Sequence, residues 1–319
     1  MRAEPQKTRR QASLQSGAID HLFHYQGVQQ SQLWLDVHRA HAPLAADPSF
    51  EDIFRQISLK TARELAGRSV HVIALGPGGG EKEAWLLEAL RHEGCALRYT
   101  PVDAGLELAL LSTEIAAPFL ATETLPIVGD LSLLEELPSW LDRYPENELR
   151  LYTAFGLTPN FLPSWLFSRL SSLLRPSDHL LLSANLAPLD ESKDQDIESY
   201  RAACETVLPQ YNNPETLRWL SQVLEDWGIA ACLSAPTFEV QDFEDILGFC
   251  LHSQWLSETR FEWENTPFHA RAGQSLRLFF SLRYTPKRLA KTLQHFGLML
   301  DDGFTTPCRQ EGVWRVKQT

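Results

Sequence analysis

The chain has 319 residues, 44% of them apolar, and its 29 lysines and arginines against 41 aspartates and glutamates give a formal charge of -12. That length buries a sizeable core in one large domain or two moderate ones. The acid excess, with no basic stripe interleaved with aromatics, argues against nucleic acid as a partner.

In chain order, residues 1–12 carry Arg2, Lys7, Arg9 and Arg10 without an apolar stretch, so a disordered tail is expected there, neither signal peptide nor membrane anchor. Later apolar runs are strand length, which predicts no membrane partner and a cytoplasmic location. Cys95, Cys204, Cys232, Cys250 and Cys308 are scattered and form no CxxC pair, which favours free thiols in a reducing compartment. His38 and His41 lie three apart on a predicted helix. With no carboxylate or cysteine at ligand spacing they read as a surface pair, and no metal is expected.

From about residue 69, short apolar strands alternate with amphipathic helices, the pattern of a parallel sheet with helices on both faces. Strands are predicted over 70–75, 97–102, 125–128, 149–154 and 179–184. Helices are predicted over 81–92, where Ala84, Leu87 and Leu90 share a side, over 106–115, and over 163–174, opened by Pro163 and broken by the RPSD run that follows. After Asn185 an acidic stretch at 190–198 leads to helical segments through 200–227 and a strand-rich passage over 230–280. The end reads as a strand at 276–282, a helix at 286–296 and a last strand at 313–316, which would complete a seven-stranded sheet with an antiparallel end. The expected fold class is α/β, a Rossmann-like sheet with helices on both faces plus a second, smaller α+β domain. Residues 60–190 and 284–319 would form the cofactor-binding domain, and 13–59 with 191–283 a substrate-binding cap.

The run IALGPGGGEK at 73–82 joins an apolar strand to a glycine turn and a helix, the place where such a fold holds a nucleoside cofactor. Gly76, Gly78 and Gly80 alternate, so the backbone can pass against a ligand where a Cβ would collide. Asp103 ends the next strand, where a carboxylate can accept from both ribose hydroxyls. Three cofactors compete for the loop. A dinucleotide fingerprint needs a third glycine at Glu81 or Glu83, depending on register, and neither fits. A phosphate loop needs lysine followed by Ser or Thr, but Lys82 lies between two glutamates. S-adenosylmethionine (SAM) carries no phosphate and suits a glycine turn beside acids. An ordinary strand-to-helix turn, with glycines that only relieve crowding, stays open as the alternative.

Taken together, these segments resemble the histidine-specific SAM-dependent methyltransferase family over roughly residues 13–319. The carrying motifs are LGPGGGEK at 75–82, similar to the family's LGSGSGEK; YTPVD at 99–103, similar to YVPVD; FGLTPNF at 155–161, similar to LGSTIGNF with one residue fewer; and the C-terminal return at 273–298. The resemblance implies a class I methyltransferase sheet and SAM as cofactor. It also implies that Gly76 and Lys82 line the methionine end, Asp103 holds the ribose, and Asp130 with Leu131 contacts the adenine. Ala74 stands where many methyltransferases carry an acid.

In the acceptor site, Asn160 and Tyr200 match the family residues that hold the substrate carboxylate, and Ser281 matches its serine. Phe279 stands where the family has the glutamate that grips the imidazole, and the family's EYYPTR segment is replaced by residues 40–49. Strand alternation puts Phe279 and Ser281 on one face and Phe280 on the other. The implied acceptor is a small amino-acid-like molecule, an amine whose side chain is apolar or aromatic, and not histidine. Tyr200 or a bound water would relay the amine proton, and no residue is assigned as a dedicated base. The runner-up is a catalytically degenerate relative that keeps the fold as a binding protein, with an oxidoreductase third. Oligomeric state is not legible.

Overall fold

The computed structural model describes residues 3–41, 47–121, 124–145, 148–263 and 266–319. Strands β1 (Ser69–Leu75), β2 (Ala96–Asp103), β3 (Ile127–Val128), β4 (Leu149–Ala154) and β5 (His179–Asn185) pair in parallel, and β11 (Leu298–Thr305) and β12 (Glu311–Gln318) close the sheet as an antiparallel hairpin against β5. The strand order is β11-β12-β5-β4-β1-β2-β3. β1 and β4 are buried almost throughout, because helices cover the sheet on both sides and a parallel strand with two covered faces must be apolar on both.

Ten helices are described. They are α1 (Ala3–Ser16), α2 (Val28–His41), α3 (Ser49–Glu64), α4 (Glu81–His92), α5 (Leu106–Ala116), α6 (Leu137–Leu141), α7 (Pro163–Leu173), α8 (Ile197–Val207), α9 (Pro214–Asp226) and α10 (Pro286–His295). One face of the large sheet packs Leu166, Phe167 and Leu170 of α7 and Leu289 and Leu293 of α10 on Leu180 and Leu182. The other packs Ile53, Phe54 and Ile57 of α3 and Leu86, Leu87 and Leu90 of α4 on Val70 and Val72. Helix starts follow local chemistry. α9 opens with Asn213 accepting from the Thr216 N–H ahead of Pro214, and α10 with Thr285 accepting from the Arg288 N–H ahead of Pro286.

A second sheet, β10-β7-β6, is antiparallel and comprises β6 (Thr237–Phe243), β7 (Ile246–Gln254) and β10 (Ser275–Leu282), with a separate hairpin of β8 (Thr259–Trp263) and β9 (Thr266–Ala270). Its cores gather Trp219, Leu220 and Val223 of α9, and Tyr200, Cys204 and Val207 of α8.

Three expectations are corrected. The segment 1–12, expected to be disordered, is helical from Ala3 as part of α1, and Arg9 forms an ion pair with Asp130. Residues 49–59, assigned to the cap, lie in α3, which supplies the core under β1, so the boundary at 59 falls inside a helix of the large sheet. The strand at 276–282 does not join the large sheet. It pairs with β7, and the place expected for it is taken by β11, whose LMLDDGFT sequence hides a strand behind two aspartates and a glycine at a solvent edge.

Candidate active site

The large sheet reverses its strand order between β1 and β4, and the crevice outside the carboxyl ends of such strands is where open α/β sheets take ligands. A cavity of about 310 Å3 lies there. Its walls include Gly76 and Gly78 after β1, Asp103 at the end of β2, Asp130 and Leu131 after β3, and Gly156 and Asn160 after β4.

The loop and the carboxylate meet directly. The Gly78 N–H donates to Asp103 Oδ2 at 3.3 Å, and the Gly105 N–H donates to Oδ1 at 2.9 Å. Burial pushes the Asp103 carboxyl up to about 6, against the backbone N–H groups of Gly105, Gly78 and Ala104 that pull it down. A desolvated carboxylate gains from a further hydroxyl that reaches it. Gly76 and Gly78 hold left-handed backbone, with φ of 60° and 57°. What a Cβ would strike there is protein: Leu157 at 2.6 Å from position 76 and the Trp34 indole at 2.5 Å from position 78. The glycines therefore make room for Leu157 and for α2, whose Trp34 stacks on His38 at 5.1 Å over the loop.

Gly80 corrects an expectation, since it is not part of the cavity wall. A Cβ there would meet Ser112 Oγ at 2.6 Å, so this glycine serves the packing of α4 against α5. Lys82 does line the cavity, with Nζ 3.2 Å from Glu311 Oε1 and 4.3 Å from the centre of the Phe54 ring. Its partner comes from β12, so an ammonium and a carboxylate sit together beside the loop.

On the acceptor side, Phe279, Ser281 and Asn160 line the same cavity, while Phe280 stacks on Phe243 at 5.0 Å outside it. A bulge between Arg277 and Phe279 resets the register, after which alternation along β10 holds. Asn160 Nδ2 lies 3.4 Å from the Tyr25 hydroxyl and 3.4 Å from the Gly156 carbonyl oxygen. Tyr200 is the second correction. It is fully buried on α8 against β7 and the segment just after β10, its hydroxyl donates to the Arg283 carbonyl and accepts from the Leu247 N–H at 3.2 Å, and it is not part of the cavity wall. The relay role expected for it has no geometric support.

Several wall residues escaped the sequence reading: His21, Tyr25, Trp34, Asn185, Tyr211, Arg283 and Glu311. Arg283 carried a signal, being two residues beyond Ser281 on the same face. His21 lies with its ring 4.2 Å from that of Phe161, and burial holds its imidazole below the ordinary histidine value. His38 belongs to the cavity wall and His41 bonds Glu215 at 3.1 Å. Among the described residues no cluster could hold a metal ion, the five cysteines are free, and no helix is long and apolar enough to cross a membrane.

Residues 51–317 match the family described as histidine-specific methyltransferase, SAM-dependent. The chain belongs to this family of SAM-dependent methyltransferases. A histidine N-alpha-methyltransferase of Mycobacterium tuberculosis (strain CDC 1551 / Oshkosh) is 31% identical over 141 residues. That match spans 42% of this chain and 41% of the relative, well under half the relative's length. Among solved structures, a Burkholderia thailandensis 1,6-didemethyltoxoflavin-N1-methyltransferase with bound 1,6-didemethyltoxoflavin and S-adenosylhomocysteine is 13% identical, covering 91% of this chain and 88% of that one with a TM-score of 0.42. A duf574 family protein from Streptomyces avermitilis is 11% identical, covering 91% and 90%, with a TM-score of 0.42.

Proposed function

We propose that this protein transfers a methyl group from SAM to a small amino-acid-like acceptor, an amine, and that histidine is not its preferred acceptor. The observation that carries the reading is the Gly78–Asp103 contact at 3.3 Å on the wall of a cavity that continues to Asn160, Phe279 and Ser281. The residues fit the cofactor. Asp103 would accept from the ribose hydroxyls, Lys82 would meet the carboxylate of the methionine end, and Gly76 would lie beside it on the cavity wall. Asp130 and Leu131 would face the adenine, with Arg9 setting the direction of the Asp130 carboxylate.

Bound SAM supplies a methyl group on a sulfonium that leaves neutral. No oxyanion develops, so the protein's task is alignment, and holding an attacking atom about 3 Å behind the methyl carbon accounts for roughly 7 to 11 kcal/mol of barrier lowering. Asn160, held between Tyr25 and Gly156, would orient the acceptor, and the Phe279 ring would form its apolar wall. An amine must arrive unprotonated, and the His21 imidazole and the Tyr25 hydroxyl lie on the same cavity wall. Neither is assigned as base.

Phe279 argues against histidine because a buried imidazole facing a phenyl ring forgoes a charge-assisted hydrogen bond of about 1.5 to 3 kcal/mol. An amino acid panel assayed with methyl-labelled SAM is expected to show faster methylation of apolar or aromatic members than of histidine. Equal or faster turnover of histidine would refute the acceptor assignment. Binding of SAM with no member methylated would favour a binding protein that retains the fold.

A further inference from the structure

We propose that Arg283 is the anion anchor of the acceptor pocket, taking a carboxylate of the bound acceptor; this rests on the reading of the cavity as a methyl-acceptor site. Arg283 is 3% exposed and lines the cavity directly after β10, on the face it shares with Phe279 and Ser281. Its guanidinium packs against two adjoining rings, Tyr211 and Phe249, each centred 4.8 Å from Cζ and 5.2 Å from one another, so both lie to the same side of it. These aromatic contacts restrict the fork on one side, and the residue is also part of the cavity wall.

One of those donors is used, weakly: Nη1 donates to the Leu282 carbonyl oxygen at 3.3 Å. Among the described residues no carboxylate lies within 4.0 Å of this guanidinium, whereas the half-buried Lys82 of the same cavity has Glu311 and the half-buried Arg288 has Asp194. The neighbouring polar groups are neutral. Asn185 Nδ2 lies 3.3 Å from the Tyr211 hydroxyl, and Gln210 bonds Gln310 at 2.9 Å. The nearest acid by register, Glu311 opposite Asn185, is engaged by Lys82. A buried guanidinium that opens into a cavity without a counter-charge is costly unless an anion arrives with the ligand, and a carboxylate matches its fork with two parallel hydrogen bonds.

Tyr200 gains a role from the same geometry. By donating to the Arg283 carbonyl and accepting from the Leu247 N–H, it pins the backbone from which the arginine projects, and so acts as a positioning residue for the anchor.

The test uses the full chain saturated with S-adenosylhomocysteine and calorimetric titration of three matched probes, phenylalanine, leucine and histidine, each as free acid and as primary amide. At least one acid should bind about tenfold or more tightly than its amide. Arg283→Met should erase that ratio by weakening the acid alone, Arg283→Lys should keep part of it, and the affinity for S-adenosylhomocysteine should stay within about twofold in both. Equal binding of acid and amide in the unmodified protein would overturn the proposal, as would no binding of any probe at about 10 mM or an equal loss of acid and amide in Arg283→Met. If S-adenosylhomocysteine fails to bind while the acid preference persists and depends on Arg283, the cofactor reading fails and the anchor stands.

Discussion

Asp103→Ala is expected to weaken SAM binding by about 100-fold or more, since it removes the acceptor of two ribose hydroxyls, each charge-assisted bond being worth about 1.5 to 3 kcal/mol. It also frees the Gly78 and Gly105 N–H groups, so the loop loses its tie to β2. Asp103→Asn separates the two effects. It keeps an oxygen for one backbone donor but sets an amide N–H2 against the other, and about tenfold weaker binding or worse is expected. The pH dependence follows from the raised carboxyl. Only the charged form accepts both hydroxyl bonds, so affinity should be level above pH 7, start to drop as pH falls through about 6, and lose up to about tenfold for each further unit. Calorimetry at several pH values would show this inflection in the unmodified protein and its absence in Asp103→Asn.

Glu83→Gln should stabilise the protein at pH 8 by about 3 kcal/mol and leave it nearly unchanged at pH 4. Glu83 is 1% exposed on the first turn of α4, its Oε1 accepts from Thr153 Oγ1 at 2.9 Å, and Oε2 has no partner. Burial pushes its carboxyl up to about 7, with Thr153 pulling the other way. In the unfolded chain it ionises near 4.5, so between these values the folded state holds a proton that the unfolded state has released. Its contribution to stability is therefore complete below pH 4.5 and is lost as pH rises through 7. Thermal unfolding of both proteins from pH 4 to pH 8 checks this. The gap in melting temperature should open over that range to roughly 5 °C, and a constant gap would contradict the assignment.

Features set by short stretches of chain were the readable ones. The β1 loop and Asp103 were legible because glycine spacing and the end of the next strand fix them locally. The common face of Phe279 and Ser281 was legible because strand alternation does. Tyr200 was not, since whether a tyrosine on α8 faces the cavity or the Arg283 carbonyl depends on how β7 and the segment just after β10 pack against it. The Lys82–Glu311 pair joins residues 229 apart, and no local pattern announces it. α1 was hidden by its polarity, which resembles a free tail until Asp130 supplies Arg9 with a partner. α3 looked like part of the cap only because it precedes β1 in the chain, whereas its Ile53, Phe54 and Ile57 belong under the large sheet.

The most direct measurement is calorimetric titration of SAM into the full chain at pH 7.5. If the Gly78 turn and the Asp103 carboxylate hold the adenosyl group, one site should fill with a dissociation constant on the order of 1 to 100 µM, and Asp103→Ala should abolish most of that affinity. No heat of binding up to about 1 mM, or binding that Asp103→Ala leaves untouched, would contradict the account.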